Sequence, residues 1–193
     1  MNEDQIRFAS QKEWEAWLKK NHASAKGLWL ILAKKGATQP SVSYAEAVDA
    51  ALMYGWIDGL KRSRDESAWL QRFTPRGKTS IWSKINRDKA EALIRAKKMK
   101  PAGQREVDRA KEDGRWQKAY DSAKSSEVPS DLTAALSKNK KAAAFFATLS
   151  GTNRYAILFR IQTVKKAETR TRKITEFVSM LARGETIYPQ KKP

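Results

Sequence analysis

The sequence predicts an α+β fold, with a small antiparallel sheet packed by helices in the N-terminal part and an all-helical C-terminal part. Three observations carry that expectation. Two helix-start signatures, Ser10 to Glu13 and Ser43 to Glu46, flank a short apolar run, Leu28-Trp29-Leu30-Ile31-Leu32-Ala33. Residues 57–63 and 68–74 then read as two strands joined by Arg64-Asp65-Glu66-Ser67. From Ser83 onward the apolar spacing is helical.

In the first helix, the Ser10 hydroxyl and the Glu13 carboxylate satisfy exposed amides at the start, and Trp14, Trp17 and Leu18 recur on one face. After Gly27, the apolar run has the length and unbroken hydrophobicity of a buried central strand, ended by Lys34-Lys35-Gly36. The second helix buries Tyr44, Ala47, Val48, Ala51 and Leu52, and Gly55 stands where a left-handed cap is needed. Along 68–74, Trp69, Gln71 and Phe73 share one face, with Ala68, Leu70 and Arg72 on the other. About three strands make too little sheet to stand without helices on it.

Ala90, Leu93 and Ile94 mark the next helix, and Pro101 to Lys111 another, with Pro101 in its first turn and Gly114 as its stop. The polar segment Asp121 to Ser130 reads as the linker. Ser130 is expected to cap a short helix, Lys141 to Leu149 to form a second, and Thr152 to open a third carrying Ile157, Leu158 and Ile161. The last runs from Ala167 to Arg183 on Ile174, Phe177, Val178 and Leu181, and Gly184 ends it. The expected division is an α+β domain over 1–100, a helical connector over 101–128, a helical domain over 129–185 and a flexible tail over 186–193.

Composition narrows the chemistry. The chain has no cysteine, which removes disulfides and thiolate metal sites. The single His22 excludes multi-histidine metal clusters, and its place at the end of the first helix makes it a solvated residue on the helix dipole. Neither a metal nor a cofactor is expected. No apolar run approaches the roughly 18 residues of a membrane span, and MNEDQIRFAS lacks the basic start and apolar stretch of a signal peptide, so the expected location is cytoplasmic. The formal net charge is +18, and all of it falls after residue 59, since residues 1–59 carry equal numbers of basic and acidic side chains. Such a field attracts phosphates, nucleic acid, anionic lipid or acidic proteins.

Two stretches concentrate candidate chemistry. Between Tyr54 and Asn86, Trp56, Asp58, Arg72, Thr74, Arg76, Ser80, Trp82 and Ser83 offer guanidinium forks, hydroxyls and indole faces suited to a phosphate or carboxylate ligand. The plainer alternative makes Thr74-Pro75 a turn, Ser83 a helix cap, the tryptophans core, and Asp58 the partner of Arg72 or Arg76. Between Arg160 and Lys173, the residues Lys165, Lys166, Thr169, Arg170, Arg172 and Lys173 gather at a helix junction, as a polyanion contact or simply as a solvated basic face. No phosphate loop, zinc finger or RNA-binding aromatic motif is present.

GWIDG at 55–59, RFTPR at 72–76 and SIWSKIN at 80–86 together resemble the YdeI/OmpD-associated (OmdA) family. So do Met99 to Gly103, Gly114-Arg115-Trp116 ahead of Tyr120, Pro129 to Leu136, Phe146 to Leu149 and Ala167 to Ile174. The resemblance runs over nearly the whole chain, with Lys165-Lys166-Ala167 standing where the family's alanine-lysine step is usual. It implies a bacterial protein of a bacteriocin-protection or outer-membrane-protein-associated kind, with no established reaction or cofactor. The resulting expectation is a non-enzymatic protein binding an anionic partner, nucleic acid or acidic protein, in a stress or antimicrobial-resistance setting. The alternatives are an enzyme or sensor with a small anionic ligand in the Trp56/Arg76/Ser83 cleft, and a protein–protein module anchored by exposed tryptophans.

Overall fold

The computed structural model describes residues 4–190 and divides the chain into two compact units, the first up to Ala119 and the second from Tyr120. Among the described residues the first holds a four-stranded sheet and four helices, the second four helices, which is the expected α+β class.

In the first unit, β1 (Gln5–Ile6) leads to α1 (Gln11–Asn21). The Ser10 hydroxyl accepts from the Glu13 N–H at 3.4 Å, while the Glu13 carboxylate reaches back to the Ala9 N–H at 2.8 Å, one residue upstream of the reciprocal partner. The full reciprocal box forms instead at α2 (Tyr44–Met53), between Ser43 and Glu46. There, hydrogen bonds from the Ser43 hydroxyl and amide hold the Glu46 carboxyl below its ordinary range, against slight desolvation. Of the expected α2 face, Ala47, Val48, Ala51 and Leu52 are buried, whereas Tyr44 in the first turn is exposed.

The strands β2 (Leu28–Ala33), β3 (Trp56–Ser63) and β4 (Ala68–Pro75) lie in the order β1-β2-β4-β3, antiparallel except that β1 runs parallel to β2. β2 is apolar without alternation because both its faces are covered. Leu28, Leu30 and Leu32 enter the main core, while Trp29 and Ile31 cluster with Ala68 and Leu70. The β3–β4 turn is fixed by Asp65, whose Oδ1 accepts from the Ser67 N–H, the Ser67 hydroxyl and the Ala68 N–H, each at 2.8 Å. A bulge interrupts β3: Asp58 faces Phe73 but Lys61 faces Gln71, so Gly59 and Leu60 together oppose Arg72. Gln71, 3% exposed, donates its amide to the Gly59 and Leu60 carbonyls, at 2.9 and 3.3 Å.

Helices α3 (Lys84–Arg95) and α4 (Pro101–Glu112) complete the unit. The expected connector over 101–128 is therefore split, because α4 packs Gly103, Val107 and Ala110 into the first unit. Gly103 and Gly55 are steric necessities. Gly55 has φ +74°, and a Cβ on Gly103 would lie inside van der Waals contact with the carbonyls of Leu52 and Met53.

The second unit packs α5 (Ser130–Ser137), α6 (Lys140–Ala147), α7 (Gly151–Gln162) and α8 (Ala167–Ala182) around Leu132, Phe146, Ile157, Ile161, Ile174, Phe177 and Leu181. Asn139 and Ser150 cap α6 and α7. Ser130 does not cap α5: Pro129 occupies the cap position, and Asp131 accepts from the Leu132 N–H at 2.9 Å instead. The expected loose tail is pinned where it is described. Asn153, 1% exposed, brackets Tyr188 by accepting its N–H at 2.9 Å and donating to its carbonyl at 3.0 Å, and it also donates to Gln190 at 2.9 Å. Residues 191–193 of that tail lie outside the described residues.

All seven tryptophans precede Ala119, so tryptophan emission reports on the first unit alone. Gly103→Ala is expected to destabilise that unit by about 2–3 kcal/mol through overpacking. In a urea titration the emission midpoint falls while the second unit's transition, followed by circular dichroism, is unmoved. An unchanged emission midpoint refutes the close approach at Gly103.

Candidate functional site

The eight residues expected to form an anion cleft are dispersed. Trp56 is fully buried, edge-on to Trp14 and Trp17, with its indole N–H donated to the His22 carbonyl at 3.1 Å. Asp58 accepts from the Tyr44 hydroxyl at 2.6 Å rather than from an arginine. Arg72 and Thr74 lie on the face of β4 opposite Phe73, beside Gly27, where a Cβ would press on both side chains at 3.0–3.3 Å. Ser83 caps α3 by accepting from the Asn86 N–H at 3.1 Å.

Arg76, Ser80 and Trp82 do come together, but as a clasp rather than a pocket. The Arg76 guanidinium, 6% exposed, stacks 3.5 Å from the Trp82 ring, and the Arg76 N–H donates to the Gly55 carbonyl at 2.9 Å. Trp82 meets Trp116 edge-on at 4.9 Å, and Arg115 donates to the Ser80 carbonyl at 2.6 Å and to both oxygens of Asp113. Thus GWIDG and RFTPR face each other as paired strand ends, and Gly114-Arg115-Trp116 meets the SIWSKIN block at Ser80 and Trp82. Arg115 and Trp116 were not among the expected site residues, since only their presence in a familiar block marked them.

A hollow of about 560 Å³ lies elsewhere in the first unit, over an apolar floor of Met53 and Leu93. Lys12 from α1, Lys98 from the α3–α4 turn and Lys100 at the start of α4 line it, with Glu15 and Asp49. The two carboxylates are engaged, Asp49 by Lys89 and Glu15 by the Gln11 amide at 2.8 Å. The ammonium groups of Lys12, Lys98 and Lys100 have no ion-pair partner among the described residues. Lys97 sets up this arrangement: its φ of +56° ends α3 and turns the chain so that Lys98 and Lys100 reach the rim. The pattern was not legible in the sequence, because three lysines 86 and 2 residues apart share no motif.

In the second unit, Lys165 and Lys166 are exposed at the start of α8, with Thr169 and Lys173 half-buried behind them. Arg172 pairs loosely with Glu176 at 3.7 Å. Arg170 is structural: it donates to both Asp131 oxygens, at 2.6 and 3.0 Å, and to the Ile161 carbonyl at 2.9 Å. Among the described residues no helix is long and apolar enough to cross a membrane.

Residues 6–106, more than half of the chain, match a family described as a domain of unknown function (DUF8412). The chain belongs to that family. Residues 125–184 match the family described as Bacteriocin-protection, YdeI or OmpD-Associated (OmdA), and no curated protein or solved structure matches the chain. The OmdA likeness read from the sequence is thus a match over the C-terminal part. The GWIDG, RFTPR and SIWSKIN blocks fall within the DUF8412 match, which also contains the lysine-lined hollow.

Within the OmdA match, the pair Asp131–Arg170 ties α5 to α8. Hydrogen bonds from Arg170 hold the Asp131 carboxyl below its ordinary range, with desolvation opposing them, and the same pair raises Arg170. A folded-state carboxyl pKa below the unfolded value stabilises the fold above the unfolded pKa of about 3.9, and that stabilisation is lost as pH falls through the folded value. At pH 7, Asp131→Asn is expected to lower the stability of the second unit by about 1 kcal/mol, a figure reduced for solvent screening. Thermal melts followed by circular dichroism should show the gap to wild type narrowing as pH falls below the unfolded carboxyl value of about 3.9. A gap that persists in acid assigns the loss to something other than this charge.

Proposed function

We propose that the protein is a cytoplasmic, non-catalytic binding protein for a small anion, acting in the bacteriocin-protection or stress setting that the OmdA description suggests. The observation carrying this reading is the hollow in which Lys12, Lys98 and Lys100 face a common space while both neighbouring carboxylates are already engaged. Three ammonium groups over an apolar floor suit a phosphorylated or carboxylated metabolite whose carbon body covers Met53 and Leu93.

A polyanion is a second reading, supported by Lys165 and Lys166, exposed at the start of α8 and without an ion-pair partner among the described residues. Direct capture of a cationic bacteriocin is disfavoured under either reading, because a chain of net charge +18 repels it at the encounter stage. Protection would then follow indirectly, from the anion sensed.

Thermal shift and calorimetry against a panel of sugar phosphates, nucleotides and di- and tricarboxylates test the first reading. At least one compound is expected to raise the melting temperature saturably, and the variant K12A/K98A/K100A to lose that shift with its own melting temperature little changed. A silent panel, or a response indifferent to the three lysines, overturns the assignment. Retention on heparin that vanishes in K165A/K166A, with a steep fall in DNA affinity between about 50 and 200 mM salt, would favour the polyanion.

A further inference from the structure

Helix α7 carries one apolar face more than its core requires. Ile157, Leu158 and Ile161 enter the core of the second unit, whereas Tyr155 and Phe159 stand outside it, one turn apart on another face. Phe159 is met edge-on by Tyr120 at 4.9 Å and lies 5.9 Å from the Tyr155 ring, whose hydroxyl donates to the Asp121 carbonyl at 2.9 Å. Burial is the main cause pushing the Tyr155 phenol above its ordinary range. These aromatic rings are fixed in place, and a groove of about 580 Å³ opens along them.

The opposite wall is Tyr188, brought there by the chain end that Asn153 grips. Arg160 links the two walls. It donates to the Ala156 carbonyl at 2.9 Å and to the Tyr188 hydroxyl at 3.3 Å, and its guanidinium lies 5.7 Å from the Tyr188 ring. Among the described residues, Arg160 is the only charged residue lining the groove.

We propose that this groove binds a small aromatic monocarboxylate. Its volume lies in the range of about 300–1,000 Å³ typical of small-molecule sites, and its walls are apolar and aromatic with one polar group to set orientation. Ring faces and edges from Tyr155, Phe159 and Tyr188 favour a flat ring over a flexible chain, through offset and edge-to-face contacts. The remaining guanidinium N–H groups of Arg160 match a carboxylate, and among the described residues no acidic side chain in the lining opposes that preference. The site lies in the other unit from the lysine hollow and shares no lining residue with it, so it stands or falls independently of the function proposed above.

The test titrates the full chain with 2-naphthoate, with 2-naphthylmethanol as the uncharged counterpart and decanoate as the aliphatic one. Calorimetry and amide chemical shifts are the readouts. The expected result is saturable naphthoate binding with shifts centred on Gly151, Thr152, Arg160 and Tyr188, and at least tenfold weaker binding of both counterparts. Arg160→Gln should weaken naphthoate tenfold and leave naphthylmethanol within twofold. Thr152→Trp, an exposed change at the rim that leaves the Arg160 bonds in place, should abolish binding of both. The K12A/K98A/K100A variant should bind naphthoate as wild type does. Non-saturating titrations, shifts centred on the lysine hollow, decanoate binding tighter than naphthoate, or naphthoate affinity indifferent to Arg160 would each overturn the proposal.

Discussion

Two indole N–H groups committed to backbone carbonyls hold the first unit in register. Trp14 donates to the Ala47 carbonyl and Trp56 to the His22 carbonyl, each at 3.1 Å, so α1 is bonded to α2 and the start of β3 to the end of α1. A buried indole left without an acceptor costs about 1–3 kcal/mol, and here the acceptors are backbone groups that no side-chain substitution can remove. Phe8, Trp17 and Phe73 pack around Trp14 with ring centroids 5.3–6.4 Å apart, and the sheet closes on that cluster. The constraint explains why the tryptophan-rich stretch is architecture. Trp56 and Trp82 are 0% and 1% exposed, which leaves neither ring a surface to offer a ligand or a partner protein.

Arginine and lysine divide the work. Arg76 stacks on Trp82, Arg115 grips Asp113 and Ser80, Arg109 pairs with Glu106, and Arg170 bridges Asp131 and Ile161. A planar fork can satisfy several fixed acceptors at once and loses less on desolvation, so the forks are drawn inward. Lysines, strongly hydrated and flexible, stay at the rim. Hence the basic excess that the sequence displays is not one functional surface. The arginines named here are committed to fixed acceptors, whereas Arg160 and the lysines of the hollow keep donors to offer, and their placement depends on the fold.

What was legible in the sequence is what short-range physics determines. The Ser43–Glu46 box, the Gly55 and Gly184 turns at φ +74° and +72°, the two-sided burial of β2 and the Ile174/Phe177/Leu181 face of α8 depend on residues within a turn or two of one another. β1 escaped because two residues carry no period, and its strand character comes entirely from pairing with Trp29 and Leu30. The bulge at Gly59-Leu60 is set by Gln71 across the ladder, and the docked chain end by Asn153, which sits 35 residues before Tyr188. The site residues were misgrouped for the same reason. Arg76, Ser80 and Ser83 are close in sequence, yet a strand end, a turn and a helix cap send them to different tasks.

The two family matches fall one in each unit, and each unit has its own core, Trp14 to Trp116 in the first and Leu132 to Leu181 in the second. Function is therefore to be argued unit by unit, and the two hollows argue differently. In the first, among the described residues, the charged groups without an ion-pair or hydrogen-bond partner are ammonium ions, so binding of the proposed anion would rest on its charge and fall with salt. In the second, among the described residues, a single guanidinium stands among aromatic rings, so the proposed ligand is selected by shape and stacking together with one charge. A role placed in the OmdA-matched part has two kinds of chemistry to draw on, the aromatic groove beside Arg160 and the exposed Lys165 and Lys166.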